Sequence, residues 1–200
     1  MTNKIIGIQG DKLDKINISS DTSIFLAHEA QKLGYKIFYY TPSNLSIIKN
    51  KTYANGVFVK FNYERKKFYK IYKKQKIDVE NLKFILIRQD PPFNSEYLIT
   101  TLILDGLKKV KVINNPTAIR NVSEKLYSKH FIKYMPNTLF SNNIEEIKKF
   151  YKQNKSMIMK PINGYGGNQI HLIKNKFNKK LITNFLNKNG HSMFQKFLKN

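Results

Sequence analysis

The chain has 200 residues, 41% of them hydrophobic, no cysteine, and a formal net charge of +23. That length fits one or two compact domains with a real core and excludes a disordered chain and a disulfide scaffold. No apolar run approaches the ~20 residues of a membrane span, and the opening stretch Ile5–Ile8 is too short for a signal peptide with Asp11 and Asp14 close behind, so a cytoplasmic location without a membrane partner is the default.

Lys4–Gln9 reads as an apolar strand. Ser20 or Asp21 can cap a helix running through about Leu33, and Gly34 stops it. Lys36–Tyr40 is the next strand, and this β-α-β opening favours a parallel sheet. Ser46 to Phe61 reads as a β excursion with Asn50 and Asn55-Gly56 as candidate turns. Phe68–Lys74 is very basic and ambiguous. Phe84–Ile87 is a continuous apolar run, the pattern of a strand buried on both faces. Ser95 can cap a helix to about Leu107, Val110–Asn114 is another strand, and helices follow near Thr117–Arg120 and from Ser123 to about Phe131. A new unit begins at Asn137–Phe140. Ser141 or Asn142 caps a helix over Ile144–Lys152, followed by a Met157–Lys160 strand, a glycine-rich loop, a Gln169–Ile173 strand, a basic helix near Lys179–Asn187 and a last strand, Ser192–Phe197. The domain boundary falls near Asn115–Asn121.

The charge invites a nucleic-acid reading, but arginine occurs only at Arg65, Arg88 and Arg120. The lysines are spread along the chain among Asn, Ile, Phe and Tyr, a pattern of AT-biased coding acting on solvated positions. Arginine is the residue of stacking and bidentate readout, so no specific nucleic-acid partner is expected. A basic binding module is the non-enzymatic alternative, and it requires affinity for DNA or RNA that falls steeply with salt.

Lys160-Pro161-Ile162-Asn163-Gly164-Tyr165-Gly166-Gly167 is the most informative segment. A short strand delivers a lysine to a glycine-rich loop, and a strand returns. Glycines let backbone N–H groups turn toward an anion, and the lysine adds a point charge for phosphate. A hairpin carrying this loop is either a phosphate lid or a glycine-stabilised turn. It is not a P-loop, whose Gly-x-x-x-x-Gly-Lys order and following helix are absent. Arg88-Gln89-Asp90-Pro91-Pro92 sits at the carboxyl end of the Phe84–Ile87 strand, where open α/β sheets bind ligands. There Arg88 can clamp a substrate carboxylate, or Arg88 and Asp90 can pair and stabilise the turn. Lys125 opens a helix from which it can reach a phosphate, or it is simply solvated. Gln195-Lys196-Phe197-Leu198 can act as an adenine hinge or end the chain as an ordinary strand. His28, His130, His171 and His191 lack metal-ligand spacing, and no nucleophile elbow is present. From Pro161 to Asn200 there is no Asp or Glu, so the carboxylates that would hold Mg²⁺ beside a nucleotide are expected beyond Asn200, and no metal residue is assigned.

In order along the whole length, these segments resemble prokaryotic glutathione synthetase of the ATP-grasp superfamily. Ile16-Asn17-Ile18-Ser19-Ser20-Asp21-Thr22-Ser23 with Glu29–Tyr35 resembles the family's first loop and helix. Arg88–Tyr97 is similar to its N-domain signature. Asn114-Asn115-Pro116 with Ile119-Arg120-Asn121 and Glu124-Lys125-Leu126 is similar to its bridge, and Lys160-Pro161 with Gly164, Gly166 and Gly167 to its phosphate lid. The resemblance implies an α/β fold: a Rossmann-like pre-ATP-grasp domain with a parallel sheet over 1–118, then the small α+β lobe of an ATP-grasp domain over 119–200. It implies a ligase that uses ATP and Mg²⁺ to join γ-glutamylcysteine to glycine through an acyl-phosphate, with another ATP-grasp carboxylate-amine ligase as the enzymatic alternative. Lys125 and Lys160 match phosphate-contacting lysines, Gly164, Gly166 and Gly167 the lid, and Gln195, Lys196, Phe197 and Leu198 the adenine hinge. Lys196 and Tyr165 depart from residues often found at those places. The resemblance also implies a truncated C-terminal lobe, no activity from these residues alone, and a homo-oligomer or a separately supplied lobe as protein partner.

Overall fold

In a computed structural model, residues 4–63 and 67–199 are described; Arg65 lies outside them. The chain divides into two compact units, Met1–Arg120 and Asn121–Asn200. Among the described residues no helix is long and apolar enough to cross a membrane.

The first unit opens with β1 (Ile5–Gln9), α1 (Thr22–Lys32) and β2 (Lys36–Tyr40), the two strands pairing in parallel from Ile5↔Lys36 to Gln9↔Tyr40. Asp21 caps α1, its carboxylate accepting the N–H groups of Ser23 at 2.5 Å and Ile24 at 3.3 Å. Gly34 follows the helix at φ +81, the left-handed conformation that glycine adopts without steric cost. Next come β3 (Leu45–Ile48), β4 (Lys51–Phe61) and β5 (Tyr69–Asp78), then β6 (Phe84–Ile87), α2 (Ser95–Asp105), β7 (Lys111–Ile113) and α3 (Pro116–Asn121). The sheet runs β3-β4-β2-β1-β6-β7, with β5 on the outer side of β4. β6 has parallel neighbours on both sides, β1 and β7. α1 packs one sheet face through Ile24 and Ala27 with Ile6, Ile8 and Ile37, while Leu104 of α2 joins Phe38, Tyr40 and Ile85 on the other. This is a doubly wound, Rossmann-like unit with an antiparallel extension.

Two sequence expectations are corrected here. Asn50 does make a turn, at φ 66 after Lys49 at φ 46, but Asn55-Gly56 lies in the middle of β4, paired with Lys76 and Gln75 of β5. Glycine stands at 56 for lack of room. A Cβ there would lie 2.5 Å from Cζ of Phe38 and 2.6 Å from the carbonyl oxygen of Tyr39. Because the second obstacle is backbone, Gly56→Ala is expected to cost about 1–3 kcal/mol, seen as a lower midpoint in urea at unchanged slope. Second, α2 is capped by Asn94, which accepts the Tyr97 N–H at 2.9 Å, and Ser95 is the first helical residue. The basic stretch that the sequence leaves ambiguous is strand from Tyr69 onward, paired with β4.

The second unit begins with a turn and an irregular 3₁₀ segment over Tyr127–Tyr134, broken at Phe131 (φ −118), where an α-helix from Ser123 was expected. The Ser128 hydroxyl bonds the Lys125 carbonyl at 2.5 Å, competing with helical pairing. Then come β8 (Thr138–Ser141), α4 (Ile144–Asn154), β9 (Met157–Pro161), β10 (His171–Ile173), α5 (Lys179–Asn189) and β11 (Ser192–Lys196). The cap of α4 is Asn143 rather than Ser141 or Asn142, its side chain accepting from Glu145 and Glu146 N–H. The return strand starts at His171, two residues later than the sequence pattern, because Gln169 turns at φ 58. The antiparallel sheet β10-β9-β11-β8 buries Met157, Met159, Ile173 and Phe194 against Ile147 and Phe150 of α4 and Ile182 and Phe185 of α5. It is an α+β lobe with both helices on one face.

Candidate functional site

The alternation of β9 decides which way Lys160 points. Met157 and Met159 enter the helix-covered core, so Ile158 and Lys160 lie on the opposite face. Across the sheet Gln195 of β11 pairs with Ile158, and so shares that face. The Lys160 ammonium donates to Gln195 Oε1 at 2.8 Å, and Gln195 Nε2 donates to the Thr138 hydroxyl at 3.0 Å. A polar chain therefore spans β9, β11 and β8 and fixes the lysine head. Gln195 is 8% exposed.

The loop between β9 and β10 arches beside this lysine. Gly164 has no space for a side chain, since a Cβ would lie 2.4 Å from Cγ of Pro161. Gly166 and Gly167 adopt φ +58 and +74, with no atom within 4 Å of the second one's Cβ position. Glycine adopts these conformations without steric cost, so the loop backbone is free to approach a ligand closely. The Lys125 ammonium donates to the Gly164 carbonyl, tying the bridge segment to the loop. Its carboxylate neighbour Glu124, at 3.2 Å, is largely exposed. Burial, and then the nearby Lys125 ammonium, lowers the Lys160 pKa from the usual lysine value. No carboxylate offsets either effect. Two cations thus meet beside the glycine loop, and the one carboxylate paired with either of them among the described residues, Glu124, is exposed.

The expected hinge is partly committed to the fold. The N–H groups of Lys196 and Phe197 donate to the carbonyls of Asn137 at 2.8 Å and Ser156 at 3.3 Å, and Leu198 lies beyond the strand, well exposed.

The second arrangement is in the first unit, where the order of parallel strands reverses: β2 lies on one side of β1 and β6 on the other. Ligands of open α/β sheets bind at that switch point. Gln9-Gly10-Asp11 ends β1 and Arg88-Gln89-Asp90 ends β6. The Arg88 guanidinium does not pair with Asp90. It donates to Ser23 Oγ and Thr22 Oγ1, both at 2.8 Å, at the first turn of α1. Asp90 instead offers its N–H to Asp11 Oδ2 at 2.8 Å, and the Tyr39 hydroxyl donates to the Asp11 carbonyl at 2.6 Å. Desolvation, then the charges of Asp11 and Asp21, raise the Asp90 pKa, with Arg88 opposing them. Gln9 and Gln89, both buried, bond each other beneath. Asp11, Thr22 and Ser23 were not assigned roles from sequence. The visible signal was Gly10-Asp11 at the end of the first apolar strand.

The described residues hold no group of three or more His, Asp or Glu side chains able to bind a metal ion. Glu145 and Glu146 are exposed in the first turn of α4.

Comparison with known proteins bears on both arrangements. Residues 5–120 match the family model for the prokaryotic glutathione synthetase N-terminal domain, and residues 124–200 match that for its ATP-grasp domain. A glutathione synthetase of Mesorhizobium japonicum is 36% identical over 163 residues, 81% of this chain and 52% of the relative. One of Wigglesworthia glossinidia brevipalpis is 35% identical over 199 residues, 97% of this chain and 63% of the relative. The chain thus spans between half and two thirds of the length of these relatives. Among solved structures, a RimK domain ATP-grasp protein of Sphaerobacter thermophilus superposes at TM-score 0.60 with 10% identity, covering 98% of this chain and 64% of that one. D-alanyl-alanine synthetase A of Vibrio cholerae gives 0.59 with 14% identity, covering 100% and 61%. At such identities the likeness establishes the fold.

Proposed function

The chain belongs to the prokaryotic glutathione synthetase family, and from that premise we propose that it forms the nucleotide-phosphate and acid-substrate parts of an ATP-dependent ligase joining γ-glutamylcysteine to glycine. The observation that carries the reading is Lys160, bonded to Gln195 beside the glycine loop, with the Lys125 ammonium acting on it. A site where two cations face a single exposed carboxylate, Glu124, keeps an excess of positive charge and favours a polyanion such as the ATP triphosphate.

In this reading Lys125 and Lys160 contact phosphates, and the Gly164, Gly166 and Gly167 backbone closes over them. Gln195, Lys196, Phe197 and Leu198 border adenine, with recognition left to groups other than the engaged N–H of Lys196 and Phe197. In the first unit Arg88 binds a carboxylate of γ-glutamylcysteine, and Asp90 faces its ammonium. The pre-ATP-grasp domain takes residues 1–118 and the lobe 119–200. Transfer of the γ-phosphoryl group to the cysteinyl carboxylate would give an acyl-phosphate, which the glycine amine displaces with release of phosphate. The residues present supply positioning and charge neutralisation for that step. Mg²⁺ is implied by the chemistry, but the described carboxylates do not make a site for it. A cytoplasmic location and small-molecule partners go with this reading.

The test is a chimera. The chain is joined to the remaining C-terminal segment of the Wigglesworthia relative and assayed for phosphate release. Release that requires ATP, γ-glutamylcysteine and glycine together supports the proposal. Release with another acid substrate but not with γ-glutamylcysteine would assign a different ATP-grasp ligase.

A further inference from the structure

The sequence contains three Asn-Gly pairs, at 55–56, 163–164 and 189–190. In this dipeptide the backbone can attack its own side chain. Glycine has no Cβ to keep its amide nitrogen away from the neighbouring carboxamide, and asparagine is a chemically labile residue. Local structure decides whether a given pair reacts, and the three pairs sit in different settings.

Two pairs are held. Asn55 and Gly56 lie in the middle of β4, paired with Lys76 and Gln75 of β5, and Gly56 is packed against the Phe38 ring and the Tyr39 carbonyl. Asn189 ends α5. Its Nδ2 donates to the Phe185 carbonyl at 3.0 Å, and the Gly190 N–H donates to the Leu186 carbonyl at 2.7 Å. At both places ring closure requires groups to leave the bonds that fix them, so reaction waits on local opening. Asn163-Gly164 is free of such restraint. Asn163 is exposed in the turn after β9, and its carboxamide has no hydrogen-bond partner among the described residues. The Gly164 N–H reaches the Pro161 carbonyl only at 3.3 Å, longer than an ordinary N–H···O bond. The Lys125 ammonium, bound to the Gly164 carbonyl, places positive charge beside that amide and favours loss of its proton.

We propose that Asn163-Gly164 is a self-modification site of the folded chain, converting with time to aspartate and isoaspartate. The Gly164 nitrogen gives up its proton and attacks Cγ of Asn163. The N–Cγ bond forms, the Cγ–Nδ2 bond breaks, and the carboxamide nitrogen leaves as ammonia with that proton. Water then opens the succinimide ring at either carbonyl. Cleavage of the N–Cγ bond leaves an ordinary backbone with an aspartate side chain. Cleavage at the main-chain carbonyl leaves isoaspartate, with the chain running through the former side chain and longer by one carbon. Either product carries a carboxyl that is ionised at neutral pH. The consequence for nucleotide, unlike the reaction, rests on the proposed function: isoaspartate lengthens the base of the phosphate loop and adds a negative charge to it.

The whole folded chain is kept in warm, mildly alkaline buffer, and its peptides are followed by mass spectrometry with chromatography that resolves aspartate from isoaspartate. Conversion at Asn163 is expected to run at least ~10-fold faster than at Asn55 and Asn189, the difference being the protection that local structure gives those two. In urea the three should convert at similar rates. Asn163→Gln, whose longer side chain would have to close a larger ring, should remove the early acidic species seen on isoelectric focusing, with the circular dichroism unchanged. None of these readouts involves nucleotide, so they stand apart from the assignment of the loop to ATP. Conversion at Asn55 or Asn189 as fast as at Asn163 in the folded chain would overturn the proposal. So would an Asn163 that stays intact in the folded chain while the unfolded chain reacts, or an early acidic species that survives in Asn163→Gln.

Discussion

Lys160→Met is expected to weaken ATP binding by on the order of 100-fold while leaving the ligand-free chain at least as heat-stable as the parent. The two effects share one cause. The ammonium stands near Lys125, and burial and the like charge both lower its pKa. A lysine whose folded pKa lies below its unfolded value destabilises the fold while it is charged. That penalty is fully present below the folded pKa and is relieved as pH rises from there toward the ordinary value near 10.5. Methionine keeps the stem that packs on the sheet and removes the penalty, so the variant should lose the alkaline part of the stability profile that the parent shows. With ATP the sign reverses. A charge-assisted contact to phosphate contributes roughly 1.5–3 kcal/mol, and without it the triphosphate loses the cation held at the lid. Thermal shift with and without ATP across neutral to alkaline pH separates these results. A variant that is less stable without ligand and binds ATP normally would mean that Lys160 is a structural residue whose bond to Gln195 matters more than its charge.

The parts of this molecule legible in sequence are those written in local patterns. The β1-α1-β2 opening, the buried β6 and the lysine-loop-strand order of the lid all rest on apolar periodicity and glycine placement, and all are present. What escaped depends on distant partners. Asn55-Gly56 has the composition of a hairpin turn, yet Gly56 is glycine because the Tyr39 carbonyl and Phe38 ring, more than fifteen residues away, leave no room for a side chain. Arg88 and Asp90 look like an ion pair at two-residue spacing, but the guanidinium finds hydroxyls brought by α1 while the Asp90 N–H meets Asp11. Gln195 reads as part of a hinge, but its side chain holds Lys160, a relation set by strand register. The caps were misassigned by one or two residues at Asn94 and Asn143, where neighbouring Ser and Asn can all cap and only helix geometry chooses.

Arg88→Lys should be the second costly change, and it tests the first unit alone. In the chimeric enzyme the KM for γ-glutamylcysteine is expected to rise by ~10- to 100-fold, with little change in the affinity for ATP. The guanidinium spends Nε on Ser23 and one terminal nitrogen on Thr22. Those two bonds lock its plane and leave the remaining N–H groups as a preset donor for a carboxylate at the switch point of the sheet. Lysine retains the charge but has one nitrogen, so it cannot hold both hydroxyls and also present a planar donor pair. Thr22→Val with Ser23→Ala should give a smaller rise in KM, because the guanidinium survives but loses its fixed orientation. Acidification adds an independent reading. The Asp90 carboxyl, raised by desolvation and by Asp11 and Asp21, takes up a proton earlier than an ordinary aspartate as pH falls. Affinity for a substrate carrying an ammonium should fall with it, and Asp90→Asn should flatten that dependence. If Arg88→Lys left the KM unchanged while lowering only stability, the bonds to Thr22 and Ser23 would be a structural tie between β6 and α1, and the carboxylate site would have to lie elsewhere.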